Sequence, residues 1–535
     1  MNSRDKVRAP APLREGEVDT DTGSTFVLKG RLVTMNDANA VIDAGRLAIR
    51  QGRLEAVLRP GEPLPPGFES APVIDTRATL YPGLIDLHNH FAYNILPLWR
   101  VPAAYHNRDQ WPRHAEYKSS ISLPLHALAA VPETARAIVR YVEAKALLAG
   151  TTTGQGIKTQ VAGGIRLFRG AMRNVEQTDD ARLPEANTLV PDLRPVPEDI
   201  AAFRRSLTRY PAFFYHLSEG TDASARQHFV DLQANALLAP SLVGVHALAL
   251  QPEDYVALAR AGAKAVWSPF SNLLLYGRTL DLNAVLDAGV PLSLGCDWSP
   301  TGSKNLLEEL KVARWVSAAQ GGRLDEQRLV SLVTREPAAC LGWSAELGTL
   351  RAGALADVVA IAGTTGDPYS LLVDATEAEV QLVVVHGVPR CGAENLMRSL
   401  WASPGAPLEI LPVAGAPKAF ALETPGSELA GLKLTQASAT LEAALSDLPG
   451  FIQTRHRAGA KDAHERPFVL ALDMEQDLEH GDMAALVPEL LADATGIAPS
   501  VPLDALAVDA THLERVGQQH NLPPALQDVL TRAYA

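Results

Sequence analysis

Hydrophobic positions along the chain fall into two textures. Residues 25–80 carry short runs rich in β-branched side chains, FVLKGRLVTM, DAGRLAIRQGRLEAVL and APVIDT, punctuated by Gly and Pro. Runs of this kind read as strands. From residue 81 apolar strand-like runs alternate with amphipathic helical ones. In order these include ETARAIVRYVEAKALLAG, PAFFYH, SARQHFVDLQANALL, SLVGVHAL, PEDYVALARAGA, KAVWSP, LNAVLDAG and VPLSLGCD. Strand followed by helix, repeated, predicts parallel strands joined by crossover helices. Strand texture returns over 347–390 in LGTLRAGALADVVAIAG and VQLVVVHGVPR.

This pattern predicts an α/β architecture with boundaries at the texture changes. A (β/α)₈ TIM-like barrel is expected over 81–346, with a small β-sandwich built from 25–80 and 347–390. Residues 391–535 mix Ala/Leu-rich helical stretches such as LTQASATLEAALSDL and DMAALVPELLADA with Pro and Gly breaks. They read as an α-rich C-terminal extension that braces the barrel, makes an oligomer contact or forms a lid. Residues 1–24 read as a disordered tail.

Composition narrows the class of partner. With 535 residues, 47% of them hydrophobic, the chain can bury a large core in more than one unit. Its net charge is −13 and it has no run of Lys or Arg, which argues against nucleic acid or an anionic membrane surface as partner. The three cysteines, Cys296, Cys340 and Cys391, are too scattered for a disulfide framework, as expected in a reducing cytoplasm. The N-terminus has no apolar signal core, and no apolar stretch has the length of a membrane span. A small-molecule substrate is the expected partner, with a homo-oligomer left open.

The chemistry is concentrated at strand ends. Tyr81-Pro-Gly-Leu-Ile-Asp-Leu-His88-Asn-His90 closes an apolar run with two histidines two residues apart. On a strand these share one face, with Cα atoms about 7 Å apart. Imidazole nitrogen is a good ligand for zinc and related metals. The same grammar recurs: AFFYH ends in His216, LVGVH in His246 and VPLSLGCD in Asp297. In a (β/α)₈ barrel the C-terminal strand ends converge on one rim, where active sites sit. Glu219 follows His216 by three residues, beyond the strand end, where a carboxyl beside a metal site can do general acid/base work. A helix N-terminal charge or an ion-pair partner is its alternative role.

Together PGLIDLHNH, HLSEG, GVHAL, WSPFSNLLLYG and LSLGCD resemble the metal-dependent amidohydrolases, over about residues 25–390. The branch is that of the chlorohydrolases and aminohydrolases, with cytosine, guanine and S-adenosylhomocysteine deaminases among its relatives. The resemblance implies His88 and His90 as first-strand ligands, His216 as the fifth-strand ligand and Asp297 as the eighth-strand ligand and a proton acceptor. It implies His246, on the sixth strand, as the residue that orients the water or the developing oxyanion, and Glu219 as the proton shuttle. It also implies hydrolysis of a non-peptide C–N bond in a cyclic amide, amidine or aminated ring by a metal-activated water. The binuclear branches of this family use a carboxylated lysine in mid-barrel. Lys158 falls too early for that, so one divalent metal is expected, zinc first, with iron or manganese as alternatives. A metal-free scaffold on the same fold is the competing reading, and the ligand set discriminates between them.

Specificity is less legible. Related deaminases carry His-Cys-Pro-x-Ser-Asn on the seventh strand, whereas this chain has Trp267-Ser268-Pro269-Phe270-Ser271-Asn272. That departure points away from nucleobases. It makes Trp267 a candidate substrate contact, while Ser271 and Asn272 read as a turn and helix cap. The stretch 91–117 after the first strand holds three Tyr, two Trp and three Arg. It predicts either a pocket loop in which Arg100, Arg108 and Arg113 bind an anionic group, or a folded loop with its own aromatic core. The Gly and small hydroxyl residues of 297–305, after the eighth strand, read either as a weak anion site at a helix N-terminus or as an ordinary cap by Ser303.

Overall fold

A computed structural model describes residues 23–161, 165–166, 168–178, 180–402, 407–459, 468–472 and 496–535. The expected N-terminal tail and the helical stretch DMAALVPELLADA lie outside these, apart from residues 23 and 24. Among the described residues the strands are β1 Phe26–Val33, β2 Val41–Arg50, β3 Arg53–Leu58, β4 Val73–Pro82, β5 Leu84–Asp86, β6 Thr151–Gly154, β7 Lys158–Val161, β8 Ile165–Arg166, β9 Arg173–Asn174 and β10 Asn187–Leu189. They continue as β11 Phe213–Leu217, β12 Leu242–His246, β13 Lys264–Trp267, β14 Leu292–Leu294, β15 Val358–Ala362, β16 Val380–Val385, β17 Val388–Ala393, β18 Glu409–Val413, β19 Ala416–Phe420 and β20 Phe468–Ala471.

The central body is an α/β structure of the TIM-barrel type. Its strands form two parallel sheets, β5-β6-β9 and β10-β11-β12-β13-β14. The sheets meet at both edges. On one side the Ala186 N–H donates to the Val175 carbonyl at 2.8 Å. On the other, Asp297 N–H donates to His88 O at 2.8 Å, and His90 N–H to Asp297 O at 2.7 Å. Helices Pro132–Leu148, Pro197–Arg209, Ala223–Ala234, Pro252–Arg260 and Leu282–Ala288 lie between successive strands. Asp222 and Asp281 cap two of them by accepting backbone N–H groups, which relieves the unpaired donors of the first turn.

The two flanking segments join as one nine-stranded sheet, in the order β18-β19-β17-β16-β15-β4-β1-β2-β3. The join is the antiparallel pairing of β4 with β15, Tyr81 opposite Val359. β4 leads almost directly into β5, so the sheet is anchored to the first barrel strand. The region beyond 391 contributes to both bodies. β18 and β19 extend the nine-stranded sheet, and β20 pairs with β7 beside the barrel. Helix Leu434–Ser446 packs on helix Pro132–Leu148. There the buried Arg140 guanidinium donates to the carbonyls of Leu422, Leu429 and Leu432. No helix of the described residues is long and apolar enough to cross a membrane.

Candidate metal centre and active site

Parallel strands of similar length deliver their C-terminal ends to one rim, and five metal-capable side chains meet there. His88 and His90 lie just beyond β5, His216 is in β11, His246 ends β12, and Asp297 lies three residues past β14. All five are buried. Ring centroids separate His88 from His90 by 5.1 Å, from His216 by 4.8 Å and from His246 by 4.8 Å. Asp297 Oδ1 lies 3.2 Å from His88 Nε2 and 3.4 Å from His90 Nε2. Two overlapping triads, His88–His216–His246 and His88–His90–Asp297, each bring their donor atoms within 4.8 Å of one another.

The backbone is shaped for this convergence. Ser218, His246, Ala247 and Asp297 all adopt positive φ, at 52°, 65°, 50° and 68°. Such conformations cost non-glycine residues about 1–3 kcal/mol each and persist where the surroundings hold them. Gly295 permits a close approach: a Cβ there would lie 2.6 Å from the His88 nitrogen. The buried Asp86 carboxylate accepts from Asn89 Nδ2 at 2.9 Å, His88 N–H at 3.2 Å and Cys296 N–H at 3.3 Å. It thereby ties the first-strand loop to the eighth. Burial pushes the Asp86 carboxyl up to about 6.

The donor set fits a divalent cation. Both ring nitrogens of His88 and Nδ1 of His216 are buried without a hydrogen-bond partner among the described residues. Asp297 Oδ1 approaches His88 Nε2 to 3.2 Å without hydrogen-bond geometry, and the donor atoms of each triad lie within 4.8 Å of one another. Leaving such groups unpaired costs about 1–3 kcal/mol each, and a shared cation would satisfy one nitrogen of each ring. Burial lowers His88 to about 4 and His216 well below its ordinary value, so both rings are neutral at pH 7, the form that binds metal. For Asp297 burial acts upward, but His88, His246 and His90 together hold the carboxyl below its usual range.

Glu219 sits beside this cluster in a defined setting. Its Oε1 accepts from the Tyr276 hydroxyl at 2.7 Å, which in turn accepts from Trp111 Nε1 at 3.1 Å. Its Oε2 is 3.7 Å from His246 Nε2 and 3.7 Å from Arg108 Nε. The backbone around Glu219 is pinned to the 91–117 stretch, with Arg108 N–H on Glu219 O and Thr221 N–H on His106 O. Gly220 is required there, because a Cβ would lie 2.5 Å from the His106 carbonyl.

Asn272, expected from the sequence as part of a turn and helix cap, is instead a candidate site residue. It lies inside helix Pro269–Tyr276 rather than capping it, and its Oδ1 is 2.9 Å from His246 Nδ1. Asn272 Nδ2 and the Trp267 indole both donate to Thr279 Oγ1, at 3.3 and 2.7 Å. Trp267 is therefore buried with its N–H committed to that network. The cap of helix Leu306–Ala319 is Asn305, not Ser303, whose hydroxyl donates to Glu309.

The arginines divide. Arg108 is close to the cluster, but its guanidinium is engaged by protein acceptors: it donates to Val190 O and faces Asp192 and Glu219 at 3.7 Å. Arg113 is exposed, and Arg100 is exposed beside His520. Neither joins the buried cluster. The aromatics of 91–117 form the loop's own core, in which Trp111 stacks edge-on to Tyr117 at 5.0 Å and Tyr93 reaches Trp298 at 4.7 Å. Lys158 pairs with Glu176 at 3.0 Å and is not part of the histidine cluster.

A barrel rim carrying this set is that of a metal-dependent hydrolase. Residues 214–390 match the amidohydrolase family. The 5-methylthioadenosine/S-adenosylhomocysteine deaminase of Syntrophobacter fumaroxidans is 24% identical over 409 residues, 68% of this chain and 91% of the relative. The enzyme of that name from Moorella thermoacetica is 25% identical, over 60% of this chain and 82% of its own length. Among solved structures, a mutant atrazine chlorohydrolase from Arthrobacter aurescens, complexed with zinc and atraton, superposes with a TM-score of 0.56 at 19% identity. That match covers 68% of this chain and 94% of the other. Guanine deaminase from E. coli gives a TM-score of 0.53 at 18% identity, over 68% of this chain and 99% of its own. The chain is thus similar to the amidohydrolase family over residues 214–390, and more widely to these deaminases, and it shares the fold of the deaminase and chlorohydrolase structures.

Proposed function

We propose that the protein is a deaminase: it hydrolyses the exocyclic C–N bond of an aminated heteroaromatic ring, with one divalent metal held by His88, His90, His216 and Asp297. The observation that carries the reading is the meeting of these four side chains with Glu219 and His246 at one rim. Its coarser part, metal-dependent hydrolysis of a C–N bond, is common ground with the relatives. Three imidazoles and one carboxylate suit zinc. When bound, such an ion acts as a Lewis acid and makes a hydroxide nucleophile available near neutral pH.

The chain's own groups then divide the proton work. A new C–O bond forms at the ring carbon, the C–N bond breaks, and the water's proton leaves with the nitrogen as ammonia. Glu219 carries that proton, accepting it first and delivering it to the departing nitrogen. Asp297 is a second acceptor. His246, with Nδ1 donating to Asn272 Oδ1, presents Nε2 as an acceptor that orients the water; protonated, the same atom donates to the developing oxyanion. The Trp267-Ser268 departure is compatible with a nucleobase substrate, because Trp267 serves the Thr279–Asn272–His246 network. An anion-binding role for Arg108 requires it to leave Val190, Asp192 and Glu219, whereas Arg100 and Arg113 are exposed.

The test is ammonia release from the zinc-loaded protein with 5-methylthioadenosine and S-adenosylhomocysteine, followed also by the absorbance change as amino becomes oxo. Release of ammonia with formation of the oxo ring supports the reading. Hydrolysis of cyclic amides, with no ammonia from any aminated ring, overturns it.

Tyr276→Phe tests the setting of Glu219. Losing one hydrogen bond to a carboxylate is worth about 1.5–3 kcal/mol. The expected result is kcat lowered about 10-fold to 100-fold, with KM little changed and metal content intact. Equal loss in KM instead would mark Tyr276 as a substrate contact.

A further inference from the structure

The C-terminal segment 496–535 returns to the barrel rim and buries an acid there. Asp504 is buried against two lysines, with Oδ1 accepting from Lys304 Nζ at 2.9 Å and Oδ2 from Lys145 Nζ. Its backbone N–H donates to Ile95 O at 2.8 Å. Lys145 extends the connection, donating also to Asn94 O and Ser299 Oγ, each at 2.8 Å. Asn94 then clasps both loops that flank the metal centre. Its Nδ2 donates to Asn89 Oδ1 at 2.9 Å, and its Oδ1 accepts from Ser299 N–H at 2.7 Å. Asn89 stands between His88 and His90, and Ser299 two residues after Asp297.

The same segment grips the other walls. Gln519 brackets the 91–117 stretch, accepting from Val101 N–H at 3.1 Å and donating to Trp99 O at 2.9 Å. Arg515 donates to Leu98 O at 3.1 Å. Asn521 donates to Leu274 O at 2.9 Å, on the helix that carries Asn272 and Tyr276.

We propose that this segment is part of the construction of the metal centre, and that Asp504 is a positioning residue acting through Lys145 and Asn94 on the loops of His88, His90 and Asp297. The proposal rests on the metal-hydrolase reading above. Two buried ammonium groups and one carboxylate are a costly way to fill a core. Apolar residues of similar volume are often as stable or more so. The triad is accounted for if its hydrogen bonds set geometry, because partners outside the ligand shell govern ligand orientation and metal affinity.

The test uses the full-length protein loaded with zinc or cobalt. Metal affinity is measured by chelator competition, and ligand geometry by the visible spectrum of the cobalt form. Asp504→Asn is expected to weaken metal binding about 10-fold to 100-fold and to change the cobalt spectrum, with Asp504→Glu recovering part of both. The triple variant Lys145→Met, Lys304→Met, Asp504→Leu leaves no buried charge unpaired. It is expected to fold and still show the weakened affinity, and it decides the matter if Asp504→Asn does not fold. A folded triple variant with wild-type affinity and spectrum overturns the proposal alone. A wild-type protein that holds no metal overturns the hydrolase reading, and the proposal with it.

Discussion

Replacing Glu219 by Gln is expected to lower kcat on an aminated ring by about 10²–10⁴-fold, the range for loss of a positioned general acid/base. The substitution is nearly isosteric and keeps an acceptor for the Tyr276 hydroxyl, which bonds Oε1 at 2.7 Å. It removes the proton carrier and the charge facing His246 and Arg108, each 3.7 Å from Oε2. Because Glu219 is outside the proposed ligand set, metal content should stay at one equivalent and KM should change little. A drop in kcat with KM and metal unchanged assigns Glu219 to the transition state. A Gln variant with wild-type kcat would move the proton transfer to Asp297 or His246.

Removing the metal is the second large effect. Elemental analysis of the purified protein should find about one equivalent of zinc, iron or manganese, and His216→Ala should lose it together with all measurable turnover. His216 is buried with Nδ1 unpartnered among the described residues, and its ring is 4.8 Å from His88 and 5.4 Å from His90. Deleting it leaves a set short of one imidazole. Chelation of the wild type should also lower the melting temperature, since a ligand at one hundred times its Kd stabilises the fold by about 2.7 kcal/mol. Two equivalents would indicate a binuclear centre with a bridging ligand. None, in protein purified without chelator, would favour a metal-free scaffold and sink the catalytic reading.

Much of the body could be read from the chain because its signals are local and repeated. Apolar runs such as PAFFYH, SLVGVHAL and VPLSLGCD became β11, β12 and β14, and ETARAIVRYVEAKALL became a helix. A strand needs only a few apolar residues in sequence. A side chain at its end falls on the rim whatever the rest of the molecule does. The positions of His88, His90, His216, His246 and Asp297 follow from that rule.

What sequence could not supply were the partners of polar side chains. Ser271-Asn272 reads locally as a cap, yet Asn272 faces inward from a helix to hold His246, 26 residues away. Arg108 reads as an anion binder, yet Glu219, Asp192 and Val190 already surround it. Tyr276 and Glu219 stand 57 residues apart and gave no joint pattern. Asp504 lies 359 residues from Lys145 in a region that read only as an extension. Helical and strand periodicity are set by neighbours along the chain, so sequence by itself determined the elements and the strand ends that carry chemistry. Hydrogen bonds between buried polar groups depend on which elements become adjacent in space. Only the tertiary structure decided how the candidate ligands are oriented, and what holds Glu219 and His246 in place.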